Sequence, residues 1–356
     1  MRIGTFPTRF EGWSRGYAIA VLAMLVALLA IFCWQIDAAP APKLRASPAQ
    51  HGDAQLYRDI IKGVAAGGDY YDVAAREQRA AGYALKPFYT VRLPTQAIVY
   101  ATLGERAMSN MIRILCVILM LAWGVRLKPV LPLPLLGAAM LLMAGGLAGL
   151  LQPQASVFHE DWAAIFLALM IAVRRPDRLW PAFLAGAAAL MVRELALPMI
   201  LAMGGLALIE KRWREAAGWA AIVALFAVYF AAHAHWVSQV VLPTDQASQG
   251  WSQMLGGQFA FKSIGQVTMG IAMPYPLVSA LLILSLFGWA SVESGWALRT
   301  FLLLLGYGLM LALFARADTF YWALIAAPLS FAGLAFLPKA FADLAKAIGH
   351  KPYPAT

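Results

Sequence analysis

Several ionisable residues stand beside or inside apolar segments of the sequence, where they could do chemistry at the edge of a membrane. Asp53 follows the first apolar stretch, while Glu160 and Asp161 open the segment HEDWAAIFLALM. Arg193 and Glu194 interrupt a long apolar stretch. A carboxylate can take a proton from a hydroxyl, and a guanidinium can hold an anionic group. Because a charge in an apolar segment costs free energy unless it is paired or faces a cavity, function is the default expectation.

The composition indicates that these residues belong to an integral membrane protein. Of the 356 residues, 62% are hydrophobic and 13% are charged, and the mean hydropathy is +0.69. A soluble domain has about 25% charged residues, so a water-soluble fold is excluded. The net charge of +10 does not indicate a nucleic-acid partner, because Lys and Arg stand at the ends of apolar segments. Cys33 and Cys116 lie in apolar runs and provide no CxxC motif.

The apolar segments predict an all-α polytopic membrane protein with about ten transmembrane spans. The predicted spans are 16–36, 107–125, 130–151, 162–173, 180–192, 195–209, 217–235, 275–292, 298–315 and 322–337. The first span is longer than the apolar core of a signal peptide and predicts a retained anchor, although the AAPAP after it leaves cleavage open. Arg193, Glu194 and Pro198 break the stretch 180–209, which favours a hairpin of two short helices.

The basic residues predict the orientation of the spans. With a hairpin at 180–209, alternation puts the short loops rich in Lys and Arg on the cytoplasmic side, as the positive-inside rule requires. Both termini are then cytoplasmic. The chain divides into tails at 1–15 and 338–356, a first span at 16–36, outer loops at 37–106 and 236–274, a transmembrane core at 107–235 and C-terminal spans at 275–337.

The first outer loop predicts amphipathic helices after a flexible Ala/Pro-rich linker at 38–49. One helix begins at Ala54 with Asp53 as its N-cap, and a second covers 73–81 with Asp72 as its N-cap and Gly82 as its stop. A short apolar element follows Pro94. A segment of this size is too small to bury a core of its own, so we expect it to pack onto the spans as a cap.

The order of motifs along the chain resembles a known family. HGD and GGDYY in the first outer loop are followed by FYTVRLP, HEDW and LMVRELALP. This order resembles the GT-C superfamily of polyprenyl-phosphate-sugar-dependent glycosyltransferases, and most closely the small bacterial relatives of the polyprenyl-phosphomannose-dependent mannosyltransferases. The resemblance covers about residues 16–210. It implies a GT-C-like bundle in the bacterial cytoplasmic membrane, with its active site facing the periplasm.

The resemblance also implies the substrates: a polyprenyl-phosphate sugar as donor and a glycan or lipid-linked molecule as acceptor, both bound beside membrane lipid. Two features depart from the family pattern. Asp53 stands alone where relatives have an acidic pair, and the chain lacks the soluble outer domain of many relatives. The second departure points to a small or lipid-borne acceptor, or to no need to grip a polymer.

The family position of Asp53 implies that it is the catalytic base of an inverting transfer; the alternative is a helix N-cap. Glu160 and Asp161 are the next acidic candidates. Three roles stay open for them: binding the acceptor, assisting Asp53, or holding a divalent cation, the only cofactor that we consider. The alternative for Asp161 is an N-cap of the helix that follows.

The basic candidates would bind substrate. Arg193 would contact the phosphate or the sugar, with Glu194 orienting it; the alternative is a structural pair whose charges snorkel outward. Arg92, held by the extended backbone before Pro94, and Arg316 are further candidate phosphate ligands, or else interfacial anchors. His159 would donate to the phosphate, unless it is a solvated surface group.

Aromatic residues of the outer segments favour a membrane-interface belt over sugar stacking. They are Tyr57, Tyr70, Tyr71, Trp162, Trp236, Trp251 and Trp322. His233 and His235 fall on different helical faces, which is poor geometry for a shared metal. The loop 236–274 is interpreted as a lid over substrate, or as a plain connector.

Two functions of other classes compete with glycosyl transfer. A lipid or glycolipid transporter or flippase would be expected to have inverted repeats and charges near the membrane midplane. The sequence has one charged pair inside an apolar stretch and no matching second half. A non-catalytic partner in envelope assembly would leave Asp53 and Arg193 replaceable.

Overall fold

The computed structural model of the protein describes residues 6–34, 52–152 and 155–349. These residues form α-helices joined by short 3-10 helices, and no β-strand occurs among them. The linker predicted at 38–49 lies outside the described residues, as do both ends of the chain.

Fourteen α-helices and eight 3-10 helices follow one another along these residues. The α-helices are α1 (Arg15–Trp34), α2 (Asp53–Ala65), α3 (Tyr70–Ala80), α4 (Pro94–Leu103), α5 (Glu105–Leu127), α6 (Leu133–Gly146), α7 (His159–Val173), α8 (Trp180–Val192), α9 (Leu197–Ile209), α10 (Trp213–Val240), α11 (Gly256–Gln266), α12 (Tyr275–Ser291), α13 (Gly295–Phe314) and α14 (Leu337–Gly349). The 3-10 helices are Phe88–Thr90, Ala148–Leu151, Ala155–Val157, Glu194–Ala196, Met269–Ala272, Ala317–Ile325, Ala327–Leu329 and Ala332–Phe336.

Within the described ranges, four helices, α1, α5, α10 and α13, are long and apolar enough to cross a bilayer, and a bent pair after residue 316 could add a fifth. The protein is therefore a helical membrane protein. The number of ten spans stays a prediction, because α6, α8, α9 and α12 have only 13 to 17 residues. At about 1.5 Å per residue, such helices are shorter than the roughly 30 Å hydrocarbon core.

The last predicted span, 322–337, is wrong as a regular helix. The structure divides it into 3-10 segments, and Pro328 within it has no N–H to donate. Its side chains are almost all buried against protein. High hydropathy in this segment therefore reflects a position in the interior of the bundle, since hydropathy does not distinguish lipid from a protein core.

Residues 180–209 form two helices, α8 and α9, joined by a break at Arg193 and a 3-10 turn. Gly186 of α8 and Gly204 of α9 both lie against Trp219 of α10, so the two helices run side by side past the same residue. Gly186 is required there, because a Cβ would lie 2.8 Å from the Trp219 ring. This is the arrangement that a hairpin requires.

An ionic network of buried arginines with Glu215 and the exposed Glu210 joins the loops at one end of the bundle, which we call the base end. Arg174, after α7, contacts Glu215 at the start of α10, with 2.6 Å between Nε and Oε1. Arg299 of α13 contacts Glu210 at 2.9 Å, and Glu210 is also 3.4 Å from Arg174. Arg126 at the end of α5 donates to the carbonyl of Ala172 at 2.7 Å. The loops predicted to share one side of the membrane thus meet at one end.

The N-terminal segment also belongs to the base end. The backbone N–H of Arg9 donates to the carbonyl of Ser291 at the end of α12, at 2.8 Å. The Thr8 hydroxyl donates to the Asp343 carboxylate of α14 at 2.7 Å. Which side of a membrane this end faces stays a prediction.

A cap formed by α2, α3 and α4 (residues 53–103) covers the other end of the bundle, the cap end. Its apolar side chains form a small core of their own, which Val237 of α10 completes. Arg79 of α3 also makes a bidentate ion pair with Asp245, at 2.6 and 2.9 Å, in the loop after α10. The prediction that this segment packs onto the spans agrees with these contacts.

The helix ends of the cap differ from the predicted ones. Helix α2 begins at Asp53 with Gly52 as its N-cap, so Asp53 is not the N-cap. Helix α3 is capped by Asp69, whose carboxylate accepts from the N–H groups of Tyr71 and Asp72, so the predicted cap at Asp72 is also wrong. Both segments have an aspartate near the helix start, and sequence spacing alone did not identify which position is the cap. The predicted stop at Gly82 is confirmed, with a φ of 74°.

The close approach of α12 to the 3-10 segment 332–336 gives a test of this packing. A Cβ on Gly288 would lie 1.9 Å from the carbonyl oxygen of Gly333, so Gly288→Ala should force the backbones apart and destabilise the protein by about 1–3 kcal/mol. Gly306 of α13 has no heavy atom within 4 Å of a Cβ position, so Gly306→Ala is the matched control. Thermal unfolding in detergent measures both; an equal midpoint for the two variants would contradict the described packing.

Candidate functional site

Residues from separate segments of the sequence meet at the cap end, around the side chain of Tyr57. Arg92 Nε donates to the Tyr57 hydroxyl at 3.0 Å, and Arg92 Nη2 donates to the Tyr321 hydroxyl at 3.1 Å. The Tyr57 ring packs edge-on against the imidazole of His159, with 5.0 Å between ring centroids. The cap, the start of α7 and the segment after α13 therefore share one site.

Arg193 and Glu160 form a buried ion pair next to this site. Arg193 Nε lies 2.8 Å from Glu160 Oε1, and the two side chains are 1% and 0% exposed. Arg193 also contacts the carboxylate of Glu194. The first turn of α7 presents Glu160, while the break after α8 leaves Arg193 extended and directs it toward α7. The alternative role for Arg193 and Glu194 is a structural pair whose charges snorkel outward. The two side chains do contact each other, but Arg193 is buried, so outward snorkelling is wrong for it.

Asp53 accepts a hydrogen bond from the hydroxyl of Tyr83, with 2.5 Å between the oxygens. Its carboxylate therefore interacts with another part of the cap and not with the end of its own helix. Burial raises the pKa of Tyr83, and the negative charge of Asp53 raises it further, so Tyr83 keeps its proton and remains the donor.

Arg92 is held by tyrosines on several sides. The Tyr70 hydroxyl donates to the backbone carbonyl of Arg92 at 2.6 Å, and Pro94 starts α4 directly afterwards. Burial raises the pKa of Tyr57 to about 12, so its hydroxyl is neutral at physiological pH. Among the ion pairs of the described residues, none includes Arg92. Arg92 thus has a positive charge that no contacting carboxylate neutralises.

His159 is buried, with 4% of its surface exposed, so its interpretation as a solvated surface group is wrong. Neither ring nitrogen has a hydrogen-bond partner within the described part of the chain. Asp161 is buried too, and it is not an N-cap, because α7 begins at His159 and its N-cap is Phe158. Asp161 interacts electrostatically with Glu160 and with Cys116 of α5.

Arg316 belongs to a separate cluster. It pairs with Asp318 at 2.9 Å, donates to the Ser248 hydroxyl at 3.1 Å and lies 5.6 Å from the centre of the Trp251 ring. Ser248 in turn donates its N–H to the carbonyl of Lys86 in the cap. The structure therefore brings Asp53, Arg92, His159, Glu160, Arg193 and Glu194 to the cap end. Arg316 lies at the same end, in a separate cluster with the loop after α10.

Several aromatic residues lie in positions that the sequence pattern does not predict. Tyr57, Tyr70, Trp162 and Trp322 are buried, so the interpretation of an interfacial belt is wrong for them. Trp236, at 54% exposed, remains compatible with a belt. Tyr83 and Tyr321 were not predicted at all, and no sequence signal distinguishes them from other tyrosines, because their partners lie far away in the chain.

The histidines and acidic residues do not assemble into a metal centre within the described ranges, where no group of three or more His, Cys, Asp or Glu is placed to hold an ion. His233 instead makes a hydrogen bond of 3.1 Å with the carbonyl of Val91 in the cap. Glu160 is already paired with Arg193. The geometry therefore gives no support to a divalent cation held by Glu160 and Asp161.

Comparison of the chain with family models, with curated proteins and with solved structures gives no match in any of the three. Membership of the GT-C superfamily therefore stays a prediction from the order of motifs.

The buried pair gives a stability prediction. Arg193→Met leaves the Glu160 carboxylate buried without its cation and should destabilise the protein by about 3–5 kcal/mol, whereas Glu160→Met leaves Arg193 paired with Glu194 and should cost less. The double variant removes both charges and should regain part of the loss. The midpoint of thermal unfolding in detergent is the measurement.

The exposed pair Arg76–Glu77, at 3.0 Å with side chains 63% and 27% exposed, is the matched control. The same three methionine variants there should change stability by less than about 1 kcal/mol. Equal losses for Arg193→Met and Arg76→Met would contradict the paired, buried state of Arg193.

Proposed function

We propose that the protein is a membrane glycosyltransferase that moves a sugar from a polyprenyl-phosphate donor to an acceptor hydroxyl. One observation carries the proposal: carboxylates and arginines from the cap, α7 and the α8–α9 break converge at one end of the bundle. Ionisable residues buried at a membrane boundary are expensive, and function is the usual reason for keeping them. The order of motifs that resembles the GT-C superfamily supports the same reaction class.

Asp53 is the proposed base. The acceptor oxygen forms a bond to the anomeric carbon, the bond from that carbon to the phosphate oxygen breaks, and the phosphate leaves with the electron pair. The hydroxyl proton passes to the Asp53 carboxylate. Its contact with Tyr83 supports a fixed orientation for this carboxylate. Attack opposite the leaving phosphate inverts the anomeric centre.

Arg92 is the proposed phosphate ligand, in preference to Arg193. The charge of Arg193 is already balanced by Glu160 and Glu194. Among the described residues, the guanidinium of Arg92 donates to the hydroxyls of Tyr57 and Tyr321 and forms no ion pair, so its charge is available to an anion. Arg193 then has a positioning role, holding the hairpin break against α7. Arg316, beside the loop after α10, would contact a different part of the substrates.

Access to this site requires movement of the cap. The cavity between Tyr57, Arg92 and His159 measures about 10 Å³, far below the size of a sugar. The cap is fastened by Arg79–Asp245 and by the backbone contacts of Lys86 with the loop after α10. We propose that this loop, within 236–274, moves with the cap when substrate enters.

The proposed setting is the bacterial cytoplasmic membrane, with the cap end facing the periplasm and both termini in the cytoplasm. The distribution of basic loops supports this orientation. The proposed acceptor is a glycan or a lipid-linked molecule in the outer leaflet. The competing function is a lipid or glycolipid flippase, which needs no base at Asp53.

Turnover with a panel of donors tests the assignment of Asp53. The purified protein is incubated with polyprenyl-phosphate mannose, glucose, galactose and arabinose and with candidate glycan acceptors. Asp53→Asn should lower kcat by at least about 100-fold, because it removes the proton acceptor but keeps the shape. Asp59→Asn, on the same helix α2, is the matched control and should keep wild-type kcat.

Unchanged turnover in Asp53→Asn would contradict the assignment of the base. Lipid movement between leaflets of a vesicle, without turnover of any donor, would favour the flippase instead. Equal unfolding midpoints for Asp53→Asn and wild type would show that the fall in kcat does not result from unfolding of the variant.

Arg92 gives a second kinetic prediction. Arg92→Gln should raise the KM for the donor by about 10- to 100-fold, because a charged hydrogen bond to phosphate is lost. Arg92→Lys keeps the charge and should recover part of this. The control, Arg76→Gln in the exposed part of the cap, should leave the donor KM unchanged. A donor KM that is equal in Arg92→Gln and wild type would contradict the role of Arg92.

A further inference from the structure

A small cavity lies between the cap and the start of α7. Its lining includes the polar side chains of Tyr57, Arg92, Gln96 and His159, and the apolar side chains of Ile60 and Ala97. Its volume of about 10 Å³ is close to the smallest space that holds one water molecule. The cavity therefore has room for a single oxygen atom.

Two of the lining side chains are buried with polar atoms that lack a partner among the described residues. They are Gln96, at Oε1, and His159, at both Nδ1 and Nε2. His159 is 4% exposed and Gln96 is 3% exposed, so bulk water does not satisfy them. A buried polar atom without a partner costs about 1–3 kcal/mol, so unpartnered atoms on two side chains that line one cavity indicate a bound polar group.

The orientation of Gln96 is fixed by its other contact. Its Nε2 donates to the backbone carbonyl of Ser156 at 2.9 Å, and a carbonyl can only accept. The Trp162 indole donates to the same carbonyl at 2.9 Å. The amide oxygen of Gln96 therefore has no partner among the described residues, and it requires a hydrogen-bond donor.

The donor and acceptor pattern selects the class of ligand. Gln96 Oε1 accepts only, whereas a neutral imidazole offers one donor and one acceptor. A group that satisfies both must donate and accept through one small atom, which a hydroxyl does. A phosphate oxygen accepts only and would face Gln96 Oε1 unpaired.

We infer that this cavity is a hydroxyl-binding site, which holds a water molecule in the free protein and a hydroxyl of the donor sugar in the complex. The second half of this inference rests on the proposed function. His159 then contacts the sugar and not the phosphate. The site gives specificity, because a sugar without this hydroxyl leaves Gln96 Oε1 and one imidazole nitrogen unsatisfied.

The presence of the water molecule can be tested without an assay of sugar transfer. An experimental map that resolves ordered solvent should show density within hydrogen-bond distance of His159 and Gln96. Ala97→Ser adds a hydroxyl to the lining of the cavity; it should displace this density and keep or raise the unfolding midpoint. Ala101→Ser, on the same helix α4 but outside the cavity lining, is the matched control and should retain the density. A map of this quality without density beside His159 would overturn the water site.

The sugar is tested with deoxygenated donors, using whichever sugar the wild type turns over. One of the monodeoxy donors should lose at least about tenfold in kcat/KM with wild type. With the Ala97→Ser variant, kcat/KM for that deoxy donor should equal kcat/KM for its parent donor, because the serine hydroxyl already occupies the cavity. Ala101→Ser should behave like wild type.

Equal deoxy effects in wild type and Ala97→Ser would overturn the sugar half of the inference. The two proposals fail in different ways. Absence of turnover with every donor removes the proposed function, whereas the density beside His159 and Gln96 still decides the hydroxyl site.

Discussion

The buried ion pair between Arg193 and Glu160 is the interaction on which the arrangement of the cap end depends. Both side chains are almost fully buried, and neither charge is stable there alone. The pair ties the break between α8 and α9 to the first turn of α7. Because that first turn also carries His159, the pair positions the imidazole beside Tyr57 and the cap.

Ion pairs between arginine and glutamate also occur at the other end of the α8–α9 hairpin. Arg174, directly after α7, reaches Glu215 at the start of α10, and Arg299 of α13 reaches Glu210. Ion pairs therefore hold the hairpin at both its open end and its tip. Side chains of opposite charge can hold short helices in place where apolar packing does not discriminate between protein and lipid.

Tyrosine hydroxyls hold the charged side chains of the cap in place. Tyr57 and Tyr321 bind the guanidinium of Arg92 without neutralising it, whereas Tyr83 contacts Asp53. Asp53 and Arg92 thus lie at the same end of the bundle, and no ion pair joins them among the described residues. Such separation suits a reaction in which one group takes a proton and the other holds an anion.

The sequence by itself determined the helical membrane class, the break at Arg193 and the existence of the cap helices, because composition, interrupted apolar stretches and helical spacing are local properties. It also selected most of the residues that meet at the cap end. It did not determine the caps at Gly52 and Asp69, nor the interior position of 322–337. Only the tertiary structure decided that His159 is buried and that Glu160 is the partner of Arg193. The physical reason is that burial and pairing depend on which helix faces which, and hydropathy along one chain does not contain that information.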